Sequence, residues 1–388
     1  MTRLPDVQYV LRPDIMELRW GDPAPELLPA DEVARAATHA LARHGAVALN
    51  YGAEQGPGRL LEPLAAWLAR AEGAAPPIER LFITAGVSQA LDLICTLWAQ
   101  PGEAVLVEAP TYHLALRVFR DHQLKVVPVA TDEAGLRLDA LADALGQLRA
   151  EGRPARFLYV VPSFSNPTGV SLAAERRPAI VQMSRAAGAT VLEDDVYRGL
   201  WYDAPPPAPL AAADQDGTTV IRLGSFSKLL APGLKVGWLI AAPEIVGRLA
   251  GCGLLDSGGG LNHFAAHVVG GYLELGMLEP HIEELRASYR QRRDTLAAAL
   301  SGWMPPGVEW RLPGGGFFIW LRLPEGRDSA ALLPAAEAMG VSFAPGGRFF
   351  PAGGGEPFLR LAFSLMPLHD LEEGARRLGD ALRLEPGL

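Results

Sequence analysis

Cysteine is nearly absent. Only Cys95 and Cys252 occur in 388 residues, with no CxxC pair and no Cys/His cluster, so neither a disulfide framework nor a structural zinc site is expected. Two buried free thiols are the simple reading. Runs of basic residues with interleaved aromatics are missing as well, and the net charge is −9, which argues against a nucleic-acid surface. No apolar run approaches the roughly 18 residues of a membrane span, and the opening MTRLPDVQYVLRPD lacks the apolar stretch of a secretion signal. The expectation is a cytoplasmic protein that does not enter membranes. Charged residues make up 20% against 49% hydrophobic, the balance of a globular chain with a sizeable core. The 42 glycines and 33 prolines are scattered through turns, and no internal repeat is evident.

The length predicts one large domain and a smaller one. After a short arm, WGDPAPELLPADEVARAATHALARHG reads as a turn and a helix, with Asp31 as its cap and Gly45 as its end. From Gly58, residues Leu60, Leu64, Trp67 and Leu68 recur at helical spacing, with Pro63 tolerable near the first turn. Short apolar strands then alternate with helices, near 81–84, 104–108, 124–128, 156–161, 190–193, 219–223 and 236–241. This is the signature of an α/β fold, a mainly parallel seven-stranded sheet covered by helices on both faces. Residues from about 260 to 303 turn helical, with Leu278, Ile282, Leu285 and Tyr289 on one face. The end returns to α+β alternation, with GFFIWLRL and FLRLAFS as strands and helices over 329–339 and 368–382. The expected division is an arm and helix over 1–46 packing with the small domain, a large domain over 47–280 and a small C-terminal domain over 281–388.

The stretch SFSKLLAPGLKVGW, Ser225 to Trp238, organises the chain. A free lysine titrates near pH ~10.4 and is a poor nucleophile at neutrality. Apolar surroundings and a nearby cation favour the neutral amine that attacks a carbonyl. Lys228 has both, with Ser225, Ser227 and Lys235 placed to contact phosphate. An imine-forming lysine beside a phosphate-binding set describes a pyridoxal phosphate site. Other residues fall just after strands, where ligands sit in open α/β sheets. Gly86, Val87 and Ser88 join a strand to a helix N-terminus, which attracts anions, although such turns abound. Tyr112 either stacks on a pyridine ring or only starts a helix. Asn166 in PSFSNPTG can donate to a phenolic oxygen, while NPTG is also a good turn. LEDDVYRG ends a strand in acids that are either a solvated cap or, at Asp194, the partner of a protonated pyridine nitrogen. Tyr197 would donate to the phenolic oxygen, and Asp195 is not chosen. Arg360 in FLRLAFS either reaches solvent or grips a carboxylate, and Gly21 lets backbone approach the same carboxylate. Order and spacing carry more than any one motif: Asp194 follows Asn166 by 28 residues, Lys228 follows by 34 and Arg360 by 132.

On YGAEQGPGRL, ITAGVSQALDL, EAPTYH, PSFSNPTG, EDDVY, SFSKLLAPGLKVGW and FLRLAFS, the sequence resembles the class I/II aminotransferases of pyridoxal phosphate fold type I. Within them it looks most like the 2-aminoadipate subgroup. The resemblance covers nearly the whole chain. It implies that Lys228 forms the imine with the cofactor and carries the proton, Asp194 pairs with the pyridinium, and Asn166 and Tyr197 contact the phenolic oxygen. Tyr112 would stack on the ring. Val87, Ser88, Ser225 and Lys235 would hold phosphate, with Tyr51 reaching across from the other subunit of a homodimer, and Arg360 would bind the substrate α-carboxylate. Three features depart from the family's habit. Lys235 stands where arginine is usual, giving a point charge in place of a fork. Ser165 replaces a glutamine, and only 20 residues precede Gly21, fewer than the subgroup's longer arm. The segment LDSGGGLNHFAAH also looks unlike that subgroup and either shapes the pocket through Asn262 and His263 or is a flexible loop.

The implied reaction moves the amino group of an L-amino acid to a 2-oxo acid such as 2-oxoglutarate, with ping-pong kinetics. A lyase, β-replacement enzyme or cyclase shares the same residue set, because fold and cofactor do not choose the fate of the carbanion. An effector-binding module of a transcription regulator is a third reading. The acidic charge and the absence of a helix-turn-helix ahead of the domain in this sequence speak against it.

Overall fold

The computed structural model describes residues 6–384. All seven expected strands are present, in the spatial order Leu81–Thr84, Gly237–Ile240, Val220–Ser225, Thr190–Asp194, Ala155–Val160, Ala104–Ala109 and Lys125–Asp132. An eighth, two-residue strand, Gly135–Leu136, folds back on the last of them. Neighbouring pairs from Val220–Ser225 to Lys125–Asp132 are parallel. Gly237–Ile240 alone runs against both of its neighbours. Except in the outer strand Lys125–Asp132, where only Val129 is buried, the strands are largely apolar and buried, as a sheet covered on both faces requires. The C-terminal ends of the strands that run in the common direction, Leu81–Thr84 and the parallel set, share one edge.

A second sheet of four antiparallel strands lies near the C-terminus, ordered Glu309–Trp310, Phe318–Arg322, Phe358–Ala362 and Ala344–Pro345. Helices Ser329–Ala338 and Leu368–Leu384 flank it. The long helix Leu278–Trp303 packs along Leu368–Leu384, burying Leu278, Ile282, Leu285 and Tyr289 on the face that their spacing predicts.

The N-terminal segment divides its contacts. Met16–Glu17 pairs in parallel with Val341–Ser342. Helix Ala30–His44 packs instead on His263–Glu274, although the sequence reading placed that helix with the small domain. Its apolar face matches the equally apolar His263–Glu274 helix, and only the extended arm has free edge groups to add to a strand. Gly45 ends the helix as expected, but Pro29 precedes its first residue and Asp31 makes no cap bond. Asp31 lies inside the first turn, where it still faces the positive end of the helix dipole. Pro63 sits in the second turn of Gly58–Glu72.

One buried ion network joins the Gly58–Glu72 helix to the sheet edge. Arg222 donates to both oxygens of Glu72 at 2.6 Å and to Asp195 Oδ2 at 3.0 and 3.2 Å. Arg198 adds a bond to Glu72 at 3.1 Å, and Ser163 donates to Asp195 at 2.6 Å. Removing one member of such a network leaves a buried charge without compensation. Arg222→Met is expected to lower unfolding stability by about 3 kcal/mol or more, read as the shift in urea midpoint. A loss under about 1 kcal/mol would show that the network contributes little.

Candidate active site

The three consecutive acids that leave strand Thr190–Asp194 have separate tasks. Glu193 accepts from the backbone of Leu210 and Ala211 at 2.7 and 3.0 Å. Asp195 is held by Ser163 and Arg222. Asp194 accepts from the Tyr159 hydroxyl at 2.6 Å through Oδ2, while its Oδ1 is buried with no partner. Burial pushes its carboxyl up to about 6, against the Tyr159 bond, which lowers it. An ionised carboxylate with one oxygen to spare, in a dry site, is a ready partner for a cationic N–H.

Lys228 is partly buried beside it. Its Nζ donates to the Gly21 carbonyl at 3.0 Å and lies 5.2 Å from the centre of the Phe317 ring. Burial lowers its pKa, and Arg360 and Lys235 add to the fall while Asp22 and Asp194 oppose it. Ser225 and Ser227 bring their hydroxyls within 2.9 Å of each other. Lys235 is exposed, with backbone in the left-handed region at φ 52°.

Arg360 comes from the small sheet. It donates to Asn166 Oδ1 at 2.8 Å and to the Arg19 carbonyl at 2.7 Å, and its buried Nε has no partner. Phe318 and Phe349 flank the guanidinium, with ring centres at 4.1 and 5.0 Å. Burial lowers its pKa to about 10, which leaves it charged at neutrality. The bond from Arg360 commits the Asn166 oxygen and turns its amide into the site as a donor. Tyr197 is buried against Phe317 and Phe318. Tyr112 precedes helix His113–Asp121, its phenol pushed up to about 12 by burial and by Asp194. Gly86 precedes helix Val87–Trp98, which contains Ser88, with φ 91° and open space where a side chain would lie. Positive φ and an open helix N-terminus suit an anion.

These groups converge on the shared C-terminal edge of the sheet. Tyr51 does not join them, being 82% exposed. Two contributions had no separate signal in the sequence. Tyr159 lies inside the apolar string FLYVV, where a buried hydroxyl needs a partner, and that need was its only mark. Residues Arg19 to Asp22 close over the site through backbone carbonyls and the Asp22 charge, and carbonyls leave no mark in a sequence. The unpartnered Asp194 Oδ1, the unpartnered Arg360 Nε, the lysine amine and the anion-binding turn fit pyridoxal phosphate with an amino acid. Among the described residues no group of three His, Cys, Asp or Glu side chains is placed to hold a metal ion.

In cofactor-free protein, Asp194 keeps its proton up to about pH 6, whereas the unfolded chain releases it near 3.8. The stability that this proton supplies is therefore complete below 3.8 and lost as pH rises through 6. Between pH 5 and 7 the wild-type apoprotein is expected to lose about 1 kcal/mol more than Asp194→Asn, measured by urea unfolding at each pH. Parallel profiles would refute the shift.

The sequence pattern of "Aminotransferase class I and II" matches residues 13–378. The chain is 39% identical to the 2-aminoadipate transaminase of Thermus thermophilus, over 96% of this chain and 91% of that protein. It is 36% identical to aromatic-amino-acid aminotransferase 1 of Thermococcus litoralis, over 96% and 89%. A crystal structure of Pyrococcus horikoshii kynurenine aminotransferase in complex with PMP superimposes with a TM-score of 0.91 at 34% identity, covering 97% of this chain and 92% of that one. A lysine and an unpartnered carboxylate meeting at the edge of such a sheet have the same meaning as these likenesses: the chain belongs to the class I and II aminotransferases and uses pyridoxal phosphate.

Proposed function

We propose that this transaminase takes an L-α-amino acid as donor and a 2-oxo acid such as 2-oxoglutarate as acceptor, with the residue roles that follow. The observation that carries the assignment is the free oxygen of Asp194, facing a site that also contains Lys228 and Arg360. Bound pyridoxal phosphate supplies an electron sink for the charge left when the substrate loses its α-proton.

The protein's own groups do the rest. Asp194 keeps the pyridine nitrogen protonated through Oδ1, with Tyr159 fixing the other oxygen. Lys228 Nζ, neutral more of the time because burial lowers its pKa, would accept and hold the proton that leaves the substrate α-carbon. Asn166 and Tyr197 would donate to the phenolic oxygen, and Tyr112 would flank the ring. Gly86, Val87, Ser88, Ser225, Ser227 and Lys235 would hold phosphate. Arg360 offers the edge formed by Nε and Nη2 to the α-carboxylate, which would displace the Arg19 carbonyl from Nη2. Gly21, whose Cβ position would lie 2.5 Å from the Phe318 ring, keeps the arm close enough to face the same carboxylate.

The large and small domains would be residues 47–280 and 281–388. The working unit would be a cytoplasmic homodimer in which Tyr51 completes the partner's phosphate site. Val47, Leu49, Tyr51, Leu254 and Phe264 are all exposed, an apolar set that association would cover. Cys95 and Cys252 are free and buried, in keeping with a reducing compartment. Among the described residues no helix is long and apolar enough to cross a membrane. The names of the relatives support donors with aromatic or long side chains.

A panel of L-amino acids added singly, without acceptor, tests the assignment. The imine absorbance should give way to pyridoxamine phosphate and return with 2-oxoglutarate. Release of ammonia or a side-chain fragment would indicate elimination instead. In the same assay Arg360→Gln should lower kcat/KM for every donor by about 10- to 100-fold, the value of a charge-assisted bond. A loss confined to one donor would remove Arg360 from the α-carboxylate.

A further inference from the structure

The segment Gly258–His263 touches two stretches that belong to different phosphate sites if the homodimer reading is right. On one side the Asn262 amide donates to the Lys235 carbonyl. Both residues have left-handed backbone, at φ 48° and 52°, a conformation that asparagine tolerates better than most residues. On the other side the segment lies against residues 47–53, which carry Tyr51. Gly260 N donates to the Gly52 carbonyl at 3.0 Å. His263 Nε2 donates to the Val47 carbonyl at 2.9 Å, and its ring covers Gly52, where a Cβ would lie 2.3 Å from Nδ1. The ring is held from behind by His267, with centroids 4.5 Å apart.

The glycines permit this approach. A Cβ on Gly260 would fall 2.1 Å from the Ala53 carbonyl oxygen, and one on Gly259 would fall 2.5 Å from that of Gly52. Neither distance is tolerable against backbone, so flexibility is not what these two positions supply.

We propose that Gly258–His263 is a clasp that sets the position of Tyr51 relative to Lys235, and so couples cofactor retention in one site of the dimer to that in the other. Asn262 and His263 are positioning residues. Asn262 acts on the subunit's own site through Lys235. His263 acts on the partner's site through the stretch that carries Tyr51. The inference rests on the homodimer reading.

Hybrid dimers separate the two arms. A subunit with Lys228→Ala forms no imine, so the imine absorbance of a hybrid reports only the other subunit's site. Adding His263→Phe to the silent subunit removes the donor but keeps a ring over Gly52. Cofactor loss from the reporting site, followed after dilution, should then be about 3- to 10-fold faster, the effect of one lost hydrogen bond. The same substitution in the reporting subunit should leave its own site unchanged, and His263→Gln, which keeps an amide donor, should restore retention. Asn262→Ala should act only in the subunit that carries it. Unchanged release in the first hybrid, or a His263 effect confined to its own subunit, overturns the clasp. Sedimentation of the wild-type holoenzyme judges the dimer separately: a monomer removes the dimer reading, whereas an intact dimer with an unmoved reporting site removes the clasp alone.

Discussion

Three carboxylates leave one strand side by side, and the site depends on two of them being fully occupied elsewhere. Glu193 is satisfied by backbone N–H groups and Asp195 by Arg222 and Ser163. Had either been left free, the repulsion and desolvation would have fallen on Asp194 as well. Because both are tied down, the one oxygen without a partner faces the site. The remoter ion pairs with Glu72 and Arg198 are thus part of how a single acid is selected for chemistry.

Much of this was legible in the sequence. All seven strands of the large sheet were readable from apolar runs punctuated by turn residues, and the candidate residues after them gather at one edge because parallel strands end together. The choice of Asp194 over its neighbours came from the family resemblance, since spacing alone does not separate three adjacent acids. The contacts of helix Ala30–His44 were misjudged, because an amphipathic pattern states that a face will be buried and not which partner buries it. Tyr159 was hidden in an apolar string. The Arg19 carbonyl was invisible, since any residue supplies one, whereas Gly21 was marked as a place of close backbone approach but not as a partner of Lys228. The glycines of 258–260 were ambiguous between loose loop and close approach, and the backbone at 52–53 decides for Gly259 and Gly260.

Two cations of the site, Lys228 and Arg360, are both held by main-chain oxygens of the arm. Such bonds satisfy the two cations without a direct ion pair, so the opposing charges felt by the Lys228 amine are those of Asp22 and Asp194. A carboxylate side chain in the same place would have had to be expelled against its own attraction.

The antiparallel strand Gly237–Ile240 inside the large sheet has a mechanical meaning. Ser225 is paired with Gly237 and Gly224 with Trp238, so the segment bearing Lys228 and Lys235 leaves and re-enters adjacent strands with no crossover helix between. Both ends are hydrogen-bonded into the interior of the large sheet. Arg360 belongs to the other sheet, and the carbonyls that meet the two cations belong to the arm. The amine is therefore the fixed anvil of this site, and any adjustment to substrates of different length must come from the parts that carry Arg360 and the arm.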